Sequence, residues 1–355
     1  MSKWAETTET YRTVNKDVTI ISIVLGIISV VFGLISFVIL VKMRFKERHI
    51  GFRVSSIFML TNLVAADWLR GVSIFSGTVR YFIIFHTKYG PNRGDPCDAD
   101  LFCRIQSFFS IWFNMIMLLC ILFIGIFAVY QVAGCQEDRY IGKKVLIVTS
   151  ILCWTIPFFI TLIPAITGAL GEDQTVTTNG WCWITSCNRT TREIRVVYML
   201  IYSRAFDAMI FLINLTLFIY LKYITYTSNK STNNLKICNL SISTASYLIT
   251  ESFGKKNIRN DSKLLFLINL SICTCRIWGI VRTGLDISLM YSVDSSIVKI
   301  VQGSSAIFMI LQIIFDNIQT TFVFVVLLLC CNFVKTYLYR LICRRRLSVD
   351  RSTNF

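Results

Sequence analysis

The sequence predicts an all-α membrane protein, a seven-transmembrane helix bundle with its N-terminus outside and its C-terminus in the cytoplasm. Three observations carry that reading. Of 355 residues, 54% are hydrophobic and only 16% charged, with a mean hydropathy of +0.62, whereas soluble domains carry roughly 25% charge. Seven apolar stretches approach or exceed the ~20 residues that cross ~30 Å of hydrocarbon. Almost all of the net charge of +16 falls on one side of the membrane that those stretches imply.

A polar segment of mixed charge, 1–17, precedes the first span at about 18–41, which is uncharged from Val18 to Val41. No apolar leader lies before it, so that span is expected to direct insertion itself. Seventeen outer residues are also too few for a folded ligand-binding domain. The second span, about 54–76, is interrupted by Asp67 and Arg70. The third, about 105–132, falls in an uncharged run from Ile105 to Gln136. The fourth, about 145–170, is uncharged and holds Pro157 and Pro164. Spans at about 196–221, 264–283 and 300–333 carry Arg204 with Asp207, Arg276, and Asp316. The seven form one membrane domain, 18–335, followed by a tail at 336–355.

Orientation follows from the Lys/Arg bias of the loops. With the N-terminus outside, the cytoplasmic segments 42–53, 133–144, 222–263 and 334–355 hold 21 basic and 6 acidic residues. The outer segments hold 11 of each. Topology alone therefore accounts for most of the basic excess. A nucleic-acid partner is not expected, and the remaining basic surface suits anionic lipid or an acidic protein face.

Only Cys97, Cys103, Cys182 and Cys187 of the 13 cysteines fall in outer segments, where disulfides persist. Four cysteines allow three pairings. Cys103 with Cys182 would fix the second outer loop over the bundle mouth, leaving Cys97 with Cys187 as a second staple; free thiols are the alternative. Asn188-Arg189-Thr190 is a glycosylation sequon in that same loop. On the inner side, Cys330, Cys331 and Cys343 invite S-acylation, and Arg344-Arg345-Arg346-Leu347-Ser348 sets a hydroxyl beside a basic run.

Enzyme chemistry is not expected. The two histidines, His49 and His86, both fall in loops, so an intramembrane zinc site built on several histidines cannot form. Neither a G-x-S-x-G elbow nor a P-loop occurs. A retinal pigment needs a lysine deep in the last span, and Lys299 lies at its outer edge. No cofactor and no metal are expected. Glu137-Asp138-Arg139-Tyr140 looks like the box that closes the third helix of rhodopsin-like receptors. Yet Arg139 follows Cys103 by 36 residues, about 54 Å of helix. That exceeds one crossing and puts Arg139 in the inner loop.

Other motifs carry a closer likeness. The third span reads Cys103-Arg104-Ile105-Gln106-Ser107-Phe108-Phe109, then Trp112-Phe113 and Tyr130. Cys153-Trp154-Thr155-Ile156-Pro157 follows in the fourth, and Gly180-Trp181-Cys182-Trp183-Ile184 in the second outer loop. Arg276-Ile277 and Leu311-Gln312 complete the set. Over roughly 18–335 the chain resembles the cyclic-AMP receptor-like, or class E, G-protein-coupled receptors and their animal orphan relatives. W-C-W-I is the most specific of these motifs. The resemblance implies a plasma-membrane receptor, multi-pass, whose inner face engages a heterotrimeric G protein. Ser107, Cys120, Ile313 and Asp316 depart from the family pattern, so cyclic AMP is not carried over as the ligand.

Ionisable residues at membrane depth cost at least ~2.5–3.5 kcal/mol on insertion scales, and each is a functional hypothesis. Arg70, Arg104, Arg204 and Arg276 fall at mid-depth or in the outer half, and with Trp181 and Trp183 they are the ligand-binding candidates. They point to an extracellular, anionic or strongly polar small ligand beneath the second outer loop. Asp67 and Asp316 are the switch candidates. Two competing readings exist for these charges. Asp67 with Arg70, and Arg204 with Asp207, could neutralise each other within their own helices at i,i+3, and Arg70 and Arg104 could snorkel. A seven-span transporter or channel, its path lined by such pairs, is the rival function.

Overall fold

The structure is a computed structural model that describes residues 3–46, 54–84, 101–133, 142–173, 181–184, 197–198, 200–201, 205–235, 264, 266–285, 287–288, 295–330, 334 and 339. Among these residues are seven helices long and apolar enough to cross a membrane. They are α1 (Lys3–Lys46), α2 (Val54–Phe82), α3 (Leu101–Ala133), α4 (Lys143–Ile166), α5 (Ala205–Leu235), α6 (Phe266–Leu285) and α7 (Ser295–Cys330). Between α4 and α5 lies a hairpin of β1 (Leu170–Asp173) and β2 (Trp181–Ile184).

Within its uncharged stretch, Val18 to Val41, α1 is apolar on nearly every side, so amphipathicity cannot choose its buried face. Lipid tails are as apolar as its side chains, and close backbone approach decides instead. Ser22, Gly26, Ser29, Gly33 and Ser36 recur at alternating spacings of four and three, and all are buried against α2 and α7. A Cβ added at Gly33 would lie 2.7 Å from Thr320 Cγ2 and 2.8 Å from Trp68 Cδ1. Ser29 and Thr321 share a hydroxyl hydrogen bond of 2.9 Å in the same seam.

The main core runs through α2 and α3. Met59, Leu63 and Val64 meet Ile116, Met117, Cys120 and Ile121, with Leu40, Ile268, Ile272, Val323 and Leu327 closing around them. α4 packs outside this pair and is held by one polar clasp. Asn62 Oδ1 accepts from Ser150 Oγ at 3.0 Å and from Trp154 Nε1 at 3.1 Å. Trp112 Nε1 in turn donates to the Trp154 carbonyl at 3.0 Å, the two indoles meeting edge-on. Trp154 is thus an anchor between helices.

α4 ends because its last carbonyls find partners in a turn. Gly168 adopts φ 69°, a left-handed conformation that only glycine enters freely. Ala169 N–H then reaches back to the Pro164 carbonyl at 2.9 Å. The chain reverses into β1, which pairs antiparallel with β2 in the register Leu170↔Ile184 and Glu172↔Cys182. Leu170 and Ile184, opposite one another, pack on Ile111 and Met115 of the bundle. The sequence Trp181-Cys182-Trp183-Ile184 is therefore a strand.

Candidate functional site

Beneath the hairpin, α2, α3, α5, α6 and α7 bring charged and amide side chains to one buried network. α2 supplies Asp67 and Arg70, one turn apart on its inward face. α7 supplies Gln312, Asp316 and Gln319 at i, i+4 and i+7, also one face. α3 adds Asn114, α5 adds Asp207 and α6 adds Arg276, all three buried.

The charges pair between helices. Arg70 Nη2 donates to Asp316 Oδ1 at 2.7 Å, joining α2 to α7. Arg276 Nη1 donates to Asp207 Oδ1 at 2.8 Å, joining α6 to α5, with side-chain exposures of 4% and 3%. Asn114 Nδ2 adds a bond of 3.2 Å to the same Asp207 oxygen, and Gln312 Nε2 donates to Asp316 Oδ2 at 3.2 Å. Gln319 links the two pairs. Its Oε1 accepts from Arg70 Nη1 at 3.1 Å and from Arg276 Nε at 3.2 Å, and its Nε2 donates to Asp67 Oδ1 at 2.7 Å. In hydrocarbon, each guanidinium and carboxylate needs such bonds to offset its lost hydration.

Above the network, the Cys103–Cys182 disulfide ties β2 to the start of α3 across a Cα–Cα distance of 5.1 Å. Arg80 Nη1, at the end of α2, donates to Cys182 Sγ at 3.3 Å.

The predicted site residues divide accordingly. Asp67, Arg70, Arg276 and Asp316 meet in the network. Arg104 is exposed and makes no contact with the network among the described residues. Trp183 is half-buried at the edge of the cluster under the hairpin, and Trp181 of β2 pairs with Asp173 of β1. Arg204, Cys97, Cys187 and Asn188 lie outside the described residues. Asp316 bonds to Arg70 and Gln312, while Asn62 serves Trp154 and Ser150.

Two buried arginines were missed, Arg80 and Arg282, with exposures of 7% and 2%. Both sit at the hairpin end of their helices, Arg80 just past the predicted second span and Arg282 in the last turn of the predicted sixth. A signal was present for the first. Tyr81-Phe82-Ile83-Ile84 continues the apolar run past Arg80, a single interruption like that of Arg276 in the sixth span. Gln319 and Asn114 were also missed, because an uncharged amide leaves an apolar run unbroken.

The sequence matches no family model. No curated protein matches it either. The crystal structure of squid rhodopsin is similar in fold, with a TM-score of 0.65 at 14% sequence identity, covering 94% of this chain and 87% of that one. The chain is thus a seven-helix membrane protein with the rhodopsin fold, its hairpin disulfide-bonded to α3.

Proposed function

We propose that this chain is a cell-surface G-protein-coupled receptor. It binds a small extracellular ligand under the hairpin and activates a heterotrimeric G protein through its opposite, cytoplasmic end. The observation that carries the reading is the rhodopsin-like bundle with a disulfide-anchored hairpin at one end and an interhelical charge network below it. A disulfide at the hairpin end fits an oxidising exterior, and the basic segments at the other end fit the cytoplasm. The class E resemblance supports the same assignment.

Anionic ligand chemistry draws on the hairpin-end arginines, Arg80, Arg104 and Arg282, and on Arg70 and Arg276 below them. Arg70 and Arg276 already hold Asp316 and Asp207, so a ligand anion reaches them only by displacing a carboxylate. Such displacement would couple binding to helix packing.

The test is capture of a nucleotide-free heterotrimer. Purified chain in nanodiscs is expected to hold at least one Gαβγ after nucleotide removal and to release it on adding a non-hydrolysable GTP analogue. No capture, together with a solute-dependent current in proteoliposomes free of G protein, would favour the transporter.

A further inference from the structure

Four buried polar atoms of the network stand idle among the described residues, Asp67 Oδ2, Arg276 Nη2, Asn114 Oδ1 and Gln312 Oε1, and Arg276 Nη2 is the one donor among them. Asp67 Oδ2 is a carboxylate oxygen and Arg276 Nη2 a guanidinium nitrogen, so each is what the other lacks. Only one amide separates them, because Gln319 bonds the Asp67 carboxylate through Nε2 and the Arg276 guanidinium through Oε1. Buried polar groups left unsatisfied are costly. A direct Arg276–Asp67 pair would satisfy both.

We infer that the bundle has a second packing in which the Gln319 amide swings aside and Arg276 exchanges Asp207 for Asp67. The exchange needs no added ion, since among the described residues the network keeps the same two guanidiniums and three carboxyl groups before and after it. Asp207 keeps the Asn114 amide, which sits on a different helix from Arg276. Arg70 keeps Asp316. What changes is the partner of α6: it is tied to α5 in the present packing and to α2 in the other. Because like bonds replace like, the two packings can lie close in free energy, within reach of a ligand's differential affinity. Gln319 is the positioning residue of this switch.

The switch is a property of the bundle itself, and it rests on the receptor reading only for its signalling consequence. Its test therefore omits G protein. Spin labels replace the exposed Tyr223 of α5 and Leu270 of α6, and pulsed distance measurements are made on the full chain in nanodiscs. Asp207→Asn is expected to enlarge a second distance population by about fivefold or more, and Asp67→Asn to shrink it below the level of the unaltered chain. Shifts in the same direction, or unchanged distributions, overturn the inference. If Asp207→Asn does not accumulate as folded protein, the isosteric Asp67→Asn decides alone: a second population equal to that of the unaltered chain refutes the switch. Failure here leaves G-protein capture untouched, and failed capture leaves these distances untouched.

Discussion

Replacing Arg276 with methionine is expected to destabilise the bundle more than any other single substitution in it. The variant keeps most of the side chain's volume but takes the Arg276 guanidinium away from Asp207, which is almost wholly buried. Breaking a buried pair from one side costs about 3–5 kcal/mol. Restoring the charge balance with Asp207→Asn in the same chain should recover a large part of that loss, since two neutral groups need less from their surroundings. Thermal unfolding in nanodiscs reads both variants. Arg104→Met supplies the contrast: Arg104 is exposed, and its loss should stay within about 0.5 kcal/mol. Equal losses at the two positions would mean that depth along the helix, rather than pairing, sets the cost.

The disulfide carries the second large effect. It closes a loop of 79 residues, for which chain entropy alone gives about 4–5 kcal/mol at 25 °C. α4 crosses the membrane inside that loop and already restricts it, so the figure is an upper bound. Cys103→Ser with Cys182→Ser is expected to free the hairpin while leaving the main core in place. Hydrogen exchange should show lost protection at Leu170–Asp173 and Trp181–Ile184 and little change in α2. Retained protection in the strands would assign their order to the packing of Leu170 and Ile184 on Ile111 and Met115.

Sequence reading and structure part company where side chains choose between helices. The spans were legible because hydrocarbon accepts only long runs of backbone-satisfied apolar chain, and W-C-W-I pointed to the loop that the disulfide anchors. The pairing of charges was not legible. Asp67 and Arg70 are neighbours on one helix, which suggests mutual neutralisation, yet helix packing gives Arg70 to Asp316 and Asp67 to Gln319. Asp316 takes its partner from α2, an arginine, which no spacing within α7 could reveal. The hairpin went unread for a different reason. Four-residue strands pinned by a disulfide and two buried aliphatics need no long alternating pattern. α1 hid its buried face for the reason that governs all lipid-solvated helices: its signal lies in small residues, not in apolar ones.

Nucleotide exchange on a panel of purified Gα subunits with Gβγ tests the central claim most directly. The chain is reconstituted in vesicles and compared with empty vesicles and with a variant lacking residues 236–256 of the third inner segment. The account predicts faster GDP release from at least one Gα in the presence of the intact chain, and a return to the rate of empty vesicles with the deletion. Unchanged exchange on every Gα, from folded chain whose Cys103–Cys182 bond is intact and whose vesicles pass a solute current, would contradict it.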